Sequence, residues 1–183
     1  MSGYGSACAY PKSIARFLRL VSIWILTGAI MALSAGYLTS KQMKIWDLKR
    51  RGFVEAGIAR ELNVSRQTVH KAADVADSKV SQALMETAKL NRIRVKTIDP
   101  AIGVLSGFSS EFKTPVIITF SAKNGVQVWY KREGDCRNCD HLEDCRKTLL
   151  AEMEERNIQP PENLGSVSPS KIAELLFRKI TGD

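Results

Sequence analysis

Three cysteines lie within ten residues of one another in the segment CRNCDHLEDC. Cys136 and Cys139 are separated by two residues, a spacing at which both sulfurs can reach one metal ion. Cys145 falls in the expected first turn of a helix, which Asp140 or Asp144 would cap, and the helix dipole there favours a thiolate. Three sulfur ligands at this spacing predict a site for zinc or for an iron–sulfur cluster.

The sequence does not decide which group is the fourth ligand of this predicted site. His141, Cys8, a second subunit or an exogenous group could each supply it, and zinc suits three sulfurs with a histidine. The alternative is a set of reduced thiols in which Cys145 packs on an apolar helix seam. The cysteines are too local for a secreted disulfide framework, so a reducing compartment fits better.

A second group of side chains suited to chemistry lies in the stretch IARELNVSRQTVHKA, residues 58–72. Its pattern predicts a helix, a tight turn at Asn63 and a second helix capped by Ser65. Ala59 is small where two helices would cross, and branched side chains fill the wedge between them. The exposed side of the second helix then carries five polar residues and no acid: Arg66, Gln67, Thr68, His70 and Lys71.

These residue types match the groups that bind duplex DNA when a helix enters the major groove. Arg66, Gln67 and His70 are the candidates for base edges, although His70 fits a solvated helix residue equally well. The candidates for phosphate contacts, which fix position without reading sequence, are Ser65, Thr68, Lys71, Lys49, Arg50 and Arg51.

The longer stretch LTSKQMKIWDLKRRGFVEAGIARELNVSRQTVHKA resembles the sigma-region-four-like helix-turn-helix, particularly that of the archaeal Tfx-type regulators. The matching features are LT, a basic helix followed by glycine, then IA, EL and SR before the last helix. The resemblance covers residues 38–90, and Asn63 stands where the family more often has glycine. It implies that the chain regulates transcription by binding double-stranded DNA.

The elements that must hold these residues can be drawn from the apolar spacing. A first helix begins at Thr39 or Ser40 and ends at Gly52, and a second covers residues 54–62. After Ala72 the apolar positions continue to Leu90, so either the third helix runs on or a fourth follows. That stripe packs on the carboxyl-terminal half or pairs with its twin in a homodimer.

In the carboxyl-terminal half the spacing of apolar residues changes from that of helices to that of strands. Its short β-branched and aromatic runs predict a small antiparallel sheet. A hairpin is expected at residues 122–125, since Asn-Gly supplies positive φ angles. A helix follows to about Arg156, with three of its glutamates assigned to a solvated face: Glu152, Glu154 and Glu155. Beyond a Pro-Pro linker, a last helix opens at Ser168 and carries an apolar stripe suited to a lid or a dimer contact.

These elements predict an α+β fold with an amino-terminal helix-turn-helix domain of three to four helices. A small antiparallel sheet with a Cys-rich segment and carboxyl-terminal helices would complete it. The predicted boundaries are 1–37 for an apolar segment, 38–92 for DNA binding, 93–159 for the sheet domain and 160–183 for linker and helix.

The net positive charge of the chain favours a polyanionic partner. The 183 residues carry a formal net charge of +8, and residues 38–94 hold 12 Lys and Arg against 6 Asp and Glu. The basic excess therefore lies around the predicted DNA-binding segment.

Residues 20–38 are uncharged and about long enough to span a bilayer. A membrane anchor with its carboxyl-terminal side in the cytoplasm and a true start at Met31 are weighed equally, ahead of a buried helix. A secretory signal is set aside because it would export the DNA-binding segment. The expected location is cytoplasmic.

The predicted function is a DNA-binding transcriptional regulator whose metal site is structural or sensory. The alternatives are an RNA-binding module that uses the same basic face and, ranked lower, a metal-dependent nucleic-acid enzyme. No catalytic residues are assigned, because the sequence offers no nucleophile–base set, phosphate-cradling glycine loop or paired catalytic carboxylate.

Overall fold

The computed structural model describes residues 37–131, 136, 139–163 and 167–182, and the predicted apolar segment before residue 37 lies outside them, as does Cys8. The described chain is α+β, with five helices and one four-stranded antiparallel sheet. In chain order the elements are α1 (Ser40–Arg50), α2 (Glu55–Glu61), α3 (Arg66–Leu90), β1 (Ile93–Asp99), β2 (Val104–Ser109), β3 (Thr114–Ser121), β4 (Gly125–Tyr130), α4 (Leu142–Glu155) and α5 (Pro169–Thr181).

Helix α1 begins at a capping box. The Gln42 backbone N–H donates to Thr39 Oγ1 at 3.3 Å, and the Thr39 N–H donates to Gln42 Oε1 at 3.0 Å. This reciprocal pair satisfies two backbone donors that the helix itself cannot. It confirms Thr39, one of the two predicted caps, as the start of the helix.

A tight turn joins α2 to α3. Asn63 adopts a left-handed backbone with φ of 50°, and Ser65 then caps α3 by accepting from the Thr68 N–H at 3.1 Å. Both features agree with the sequence prediction. Helix α3 continues without a break for 25 residues, so the apolar stripe up to Leu90 belongs to the same helix.

One apolar cluster fixes the first three helices against each other. Ile45 of α1, Ile58 of α2 and Val69 of α3 are fully buried together, and Ala59 and Ala73 fill the narrow crossings. Small residues at these points let the helix backbones approach closely.

The sheet has strand order β1-β2-β3-β4, and every neighbouring pair is antiparallel. The β3–β4 hairpin pairs Ser121 with Gly125, which leaves a three-residue loop instead of a two-residue Asn-Gly turn. Within this hairpin only Gly125 has positive φ, at 65°. The hairpin was predicted correctly, but its left-handed position is the glycine alone, as in loops of this length.

Helices cover both faces of the sheet. On one face the second half of α3 buries Val80, Ala83 and Leu84 against Ile118 and Phe120. The apolar stripe of α3 therefore packs within the chain on the carboxyl-terminal half, one of its two predicted partners.

The opposite face of the sheet is covered by α4 and α5. Leu149 of α4 and Ile172 and Leu176 of α5 pack with Ile117 and Trp129 of the sheet. Helix α5 starts at the predicted Ser168 cap, and its apolar stripe packs on the sheet. The helix therefore covers this face of the sheet, which is the first of its two predicted roles.

Gly103 lies in a crowded turn before β2. Its φ is +67°, and a Cβ added there would lie 2.7 Å from the Phe120 carbonyl oxygen and 2.9 Å from the Trp46 ring. The same Trp46 donates from Nε1 to the Pro100 carbonyl at 3.0 Å. This turn therefore brings α1 into direct contact with the sheet.

A buried ion cluster joins α1 to α4. The Arg50 guanidinium lies 2.6 Å from Asp47 Oδ1 and 3.4 Å from Glu155 Oε2, with only 4% of the Arg50 side chain exposed. The Glu155 carboxylate also accepts from the backbone N–H groups of Lys123 at 2.8 Å and Ala122 at 3.2 Å. One carboxylate thus holds together α1, α4 and the β3–β4 turn.

The prediction of a solvated glutamate face on α4 is wrong for two of its three members. Glu152 and Glu155 are buried, whereas Glu154 is exposed. Residues three apart share a helix face, and this face of α4 is turned inward beside two arginines. Burial raises the pKa of Glu152, and the Arg156 guanidinium 3.1 Å away opposes that rise.

In the part of the chain that is described, no helix combines the length and apolar character needed to cross a bilayer.

Candidate nucleic-acid interface

The first two turns of α3 are buried on one side and exposed to solvent on the other. Val69 and Ala73 are buried against α1 and α2. The five polar residues predicted to face outward are all exposed: Arg66, Gln67, Thr68, His70 and Lys71. The Ser65 and Thr68 hydroxyls lie 2.8 Å apart at the exposed start of the helix. The predicted binding residues of this helix therefore share one surface, which is called the cationic surface below.

Glu55, at the start of α2, lies beside this cationic surface. Its Oε1 is 3.1 Å from His70 Nδ1 and 3.8 Å from Lys49 Nζ, and its Oε2 is 3.5 Å from Arg66 Nε. The hydrogen bond from His70 is the main cause that lowers the pKa of Glu55. The carboxylate is therefore ionised at neutral pH and lies within ion-pair or hydrogen-bond distance of three basic side chains.

Sequence reasoning missed Glu55 because it considered acids only along the exposed face of α3. Glu55 and His70 are 15 positions apart, and only the crossing of α2 and α3 brings them together. The predicted crossing of the two helices could have identified Glu55, because it places the start of α2 beside the early turns of α3.

Asp74 marks the far end of the cationic surface. Its Oδ2 lies 3.5 Å from His70 Nε2, one helical turn further along α3. His70 is therefore flanked by two carboxylates, Glu55 on one ring nitrogen and Asp74 on the other. This arrangement orients the ring.

The three basic residues at the end of α1 divide into two groups. Lys49 and Arg51 are partly exposed, with 36% and 38% of their side chains accessible, and Arg51 Nε lies 3.0 Å from Asp47 Oδ2. Arg50 instead lies over the Trp46 ring, 4.8 Å from its centroid. The expectation that Arg50 binds phosphate is therefore corrected, because its charge is buried in the ion cluster.

A shallow, open groove of about 540 Å³ is lined by Glu55, Arg66, Gln67 and His70. It combines a guanidinium, an amide and an imidazole with one carboxylate. These groups can donate to and accept from the edges of nucleic-acid bases.

The Cys-rich segment is described only in part, because residues 137 and 138 lie outside the described positions. Cys136, Cys139 and Cys145 are each partly buried. Cys145 lies in the first turns of α4 and packs beside the apolar cluster beneath that helix, as the thiol alternative proposed. Among the described residues, no three Cys, His, Asp or Glu side chains are grouped as metal ligands.

His141 is exposed and is the N-cap residue of α4, with no side-chain capping bond. The expected cap by Asp140 or Asp144 is therefore wrong, and Asp144 lies within the first turn of the helix. Metal binding by the cysteines and His141 stays a prediction.

Comparisons of the chain with family models, with curated proteins and with solved structures gave no match.

Proposed function

We propose that this chain is a sequence-specific transcriptional regulator that binds double-stranded DNA through the exposed flank of α3. The observation that carries the proposal is the pairing of a rigidly packed helix with five exposed polar side chains at its capped start. A solvated surface helix would not require such a combination of guanidinium, amide and hydroxyl groups beside a groove.

In this proposal α2 and α3 form a helix-turn-helix of the sigma-region-four-like, Tfx-type class. The left-handed Asn63, the buried Ala59 and the Ser65 cap support it, since each is a feature of two helices crossing at a tight turn. Helix α3 would enter the major groove with its first turns leading.

The exposed residues would then divide by whether they line the groove. Arg66 and Gln67 line the groove described above and would contact base edges. The phosphate contacts would come from Ser65, Thr68, Lys71, Lys49 and Arg51. Arg50 has no such role in the proposal, because it is buried.

The carboxyl-terminal half would carry a zinc or iron–sulfur site formed by Cys136, Cys139 and Cys145, with a structural or sensory role. Pairing of two copies on adjacent half-sites would add specificity that one helix alone seldom supplies. The proposed function requires the described residues to lie where the chromosome is, in the cytoplasm.

The test is binding of the purified chain to a pool of random duplexes, followed by affinity measurements on the selected sequence. Replacing Arg66→Ala together with Gln67→Ala should weaken binding to the selected duplex by about 2–6 kcal/mol, since two base contacts are lost. Arg178→Ala, which removes an exposed cation from α5, is the matched control and should bind as the wild type does.

Unchanged affinity in the double variant would refute the proposed interface. Preferential binding of structured RNA over any duplex would instead favour the RNA-binding alternative. Because phosphate contacts respond to salt, all affinities must be compared at one ionic strength.

A further inference from the structure

Resting on the proposed function, we infer that Glu55 is a positioning and specificity-determining residue, and that the groove beside it takes a guanine–cytosine base pair. Arg66 would bind the guanine edge, and the Glu55 carboxylate would accept from the cytosine amino group. The inference thus names the class of DNA sequence that this surface selects.

The geometry of the Arg66 contact carries the first step. Glu55 Oε2 is 3.5 Å from Arg66 Nε, so the carboxylate lies beside the inner nitrogen of the guanidinium. Arginine can fork onto the O6 and N7 atoms of guanine, and with Nε beside the carboxylate the two terminal nitrogens would serve that fork. The Arg66 side chain is 76% exposed, and this contact restrains it beside the groove.

The chemistry of the carboxylate carries the second step. An ionised glutamate only accepts hydrogen bonds, and in the major groove guanine and thymine present only acceptors to a polar side chain. The amino groups available are N4 of cytosine and N6 of adenine. With Arg66 on the guanine of the same pair, the acceptor that Glu55 supplies matches cytosine.

The position of Glu55 carries the third step. Its side chain is 21% exposed and lines the groove together with Arg66, Gln67 and His70. His70 holds its other oxygen at 3.1 Å, so both oxygens are oriented before DNA arrives. Pre-oriented groups lose less conformational entropy when they bind.

A carboxylate near DNA also repels phosphates, so a pure charge effect must be separated from base selection. Glu61 provides the matched control, because it lies on the same helix and pairs with Lys44 at 3.0 Å outside the groove. Glu55→Gln and Glu61→Gln remove the same charge from the same helix. Only the first weakens the acceptor beside Arg66, because the amide keeps one uncharged oxygen and replaces the other by an NH2 donor.

The experiment compares wild type, Glu55→Gln and Glu61→Gln on the duplex that the wild type selects and on versions with each base pair replaced. The wild type should prefer a G·C pair at one or more positions. Glu55→Gln should reduce that preference at least about fivefold without weakening binding to unselected duplexes, and Glu61→Gln should leave it unchanged. Arg66→Lys, which keeps the charge but cannot fork, should also lose the preference.

Equal preference ratios in the two glutamine variants would overturn the inference while leaving the proposed function intact. A selected site without any G·C preference would overturn it as well. A wild-type chain that discriminates among no duplexes would overturn both. If Glu55→Gln proves unstable to urea, Glu55→Asp keeps the charge, and its G·C preference must exceed that of Arg66→Lys for the inference to stand.

Discussion

The buried Arg50 gives the sharpest test of what holds the two halves of the chain together. We consider Arg50→Met, which keeps an unbranched apolar stem beside Trp46 but removes the guanidinium. Glu155, only 2% exposed, would then lose its arginine partner. Removing one partner of a buried ion pair destabilises by about 3–5 kcal/mol, because the other charge remains buried.

The lower end of this range applies here. Glu155 keeps two backbone donors, at 2.8 and 3.2 Å, and Asp47 keeps Arg51 at 3.0 Å. We therefore expect a loss of about 3 kcal/mol in the free energy of unfolding. For a chain of this size, that loss lowers the melting temperature by roughly 6–12 °C.

The assay is urea unfolding followed by circular dichroism, with Arg51→Met as the control. Arg51 is the next residue and pairs with the same Asp47, but 38% of its side chain is exposed. Its removal should change stability by less than about 1 kcal/mol. The comparison isolates burial, since residue type, substitution and one partner are the same.

A second substitution tests the cause of the loss. In the Arg50→Met background, Glu155→Gln removes the unpaired charge. The double variant should therefore be about 1–3 kcal/mol more stable to unfolding than the sum of the two single losses predicts. Equal losses in Arg50→Met and Arg51→Met would refute the argument. So would strict additivity of Arg50→Met and Glu155→Gln.

Glu152→Gln should change how stability depends on pH. Burial raises the pKa of Glu152 above the value of 4.5 for an exposed glutamate, so its contribution is present below that pH and is lost as pH rises through the folded-state pKa. The stability of the wild type relative to the glutamine variant should therefore fall as pH rises above about 4.5 in urea titrations, and a constant difference would contradict this. Gly103→Ala should destabilise by about 2–5 kcal/mol from backbone strain and overlap. Gly52→Ala should lose only about 1–2 kcal/mol, since its φ is also positive but nothing lies within 4 Å of an added Cβ. Equal melting temperatures for the two variants would show that crowding at Gly103 is unimportant. The purified chain should contain zinc or an iron–sulfur cluster, and Cys136→Ser with Cys139→Ser should remove it in elemental analysis and visible absorbance; unchanged metal content would exclude these ligands.

Local signals in the sequence were sufficient to predict the elements of the described chain and the starts of three helices. Thr39, Ser65 and Ser168 cap their helices because side-chain oxygens beside unsatisfied N–H groups act within three residues. Asn63 takes the left-handed turn for an equally local steric reason. Strand positions followed from β-branched runs, which favour pleated structure wherever they pack.

The errors concern polar side chains whose surroundings are set by distant elements. Glu152 and Glu155 form a charged pattern that is typical of a solvated helix face, and only the packing of α4 across the sheet buries them. Arg50 is separated from Glu155 by 105 positions, so no local pattern could pair them. Glu55 was missed for the same reason over a shorter distance.

Helix α3 belongs to both regions at once. Arg66 is at one end and Leu90 at the other, and the intervening sequence contains neither proline nor glycine, so it forms a rod about 37 Å long without a hinge. Its later turns are clamped on the sheet, while its first turns carry the cationic surface. Leu84 in the clamp is about 27 Å from Arg66 along the helix, so a tilt of about 5° there would carry the leading end sideways by roughly 2 Å, more than half of one base-pair step. Because the helix is unbroken, the cationic surface and the part packed on the sheet are two ends of one rigid rod.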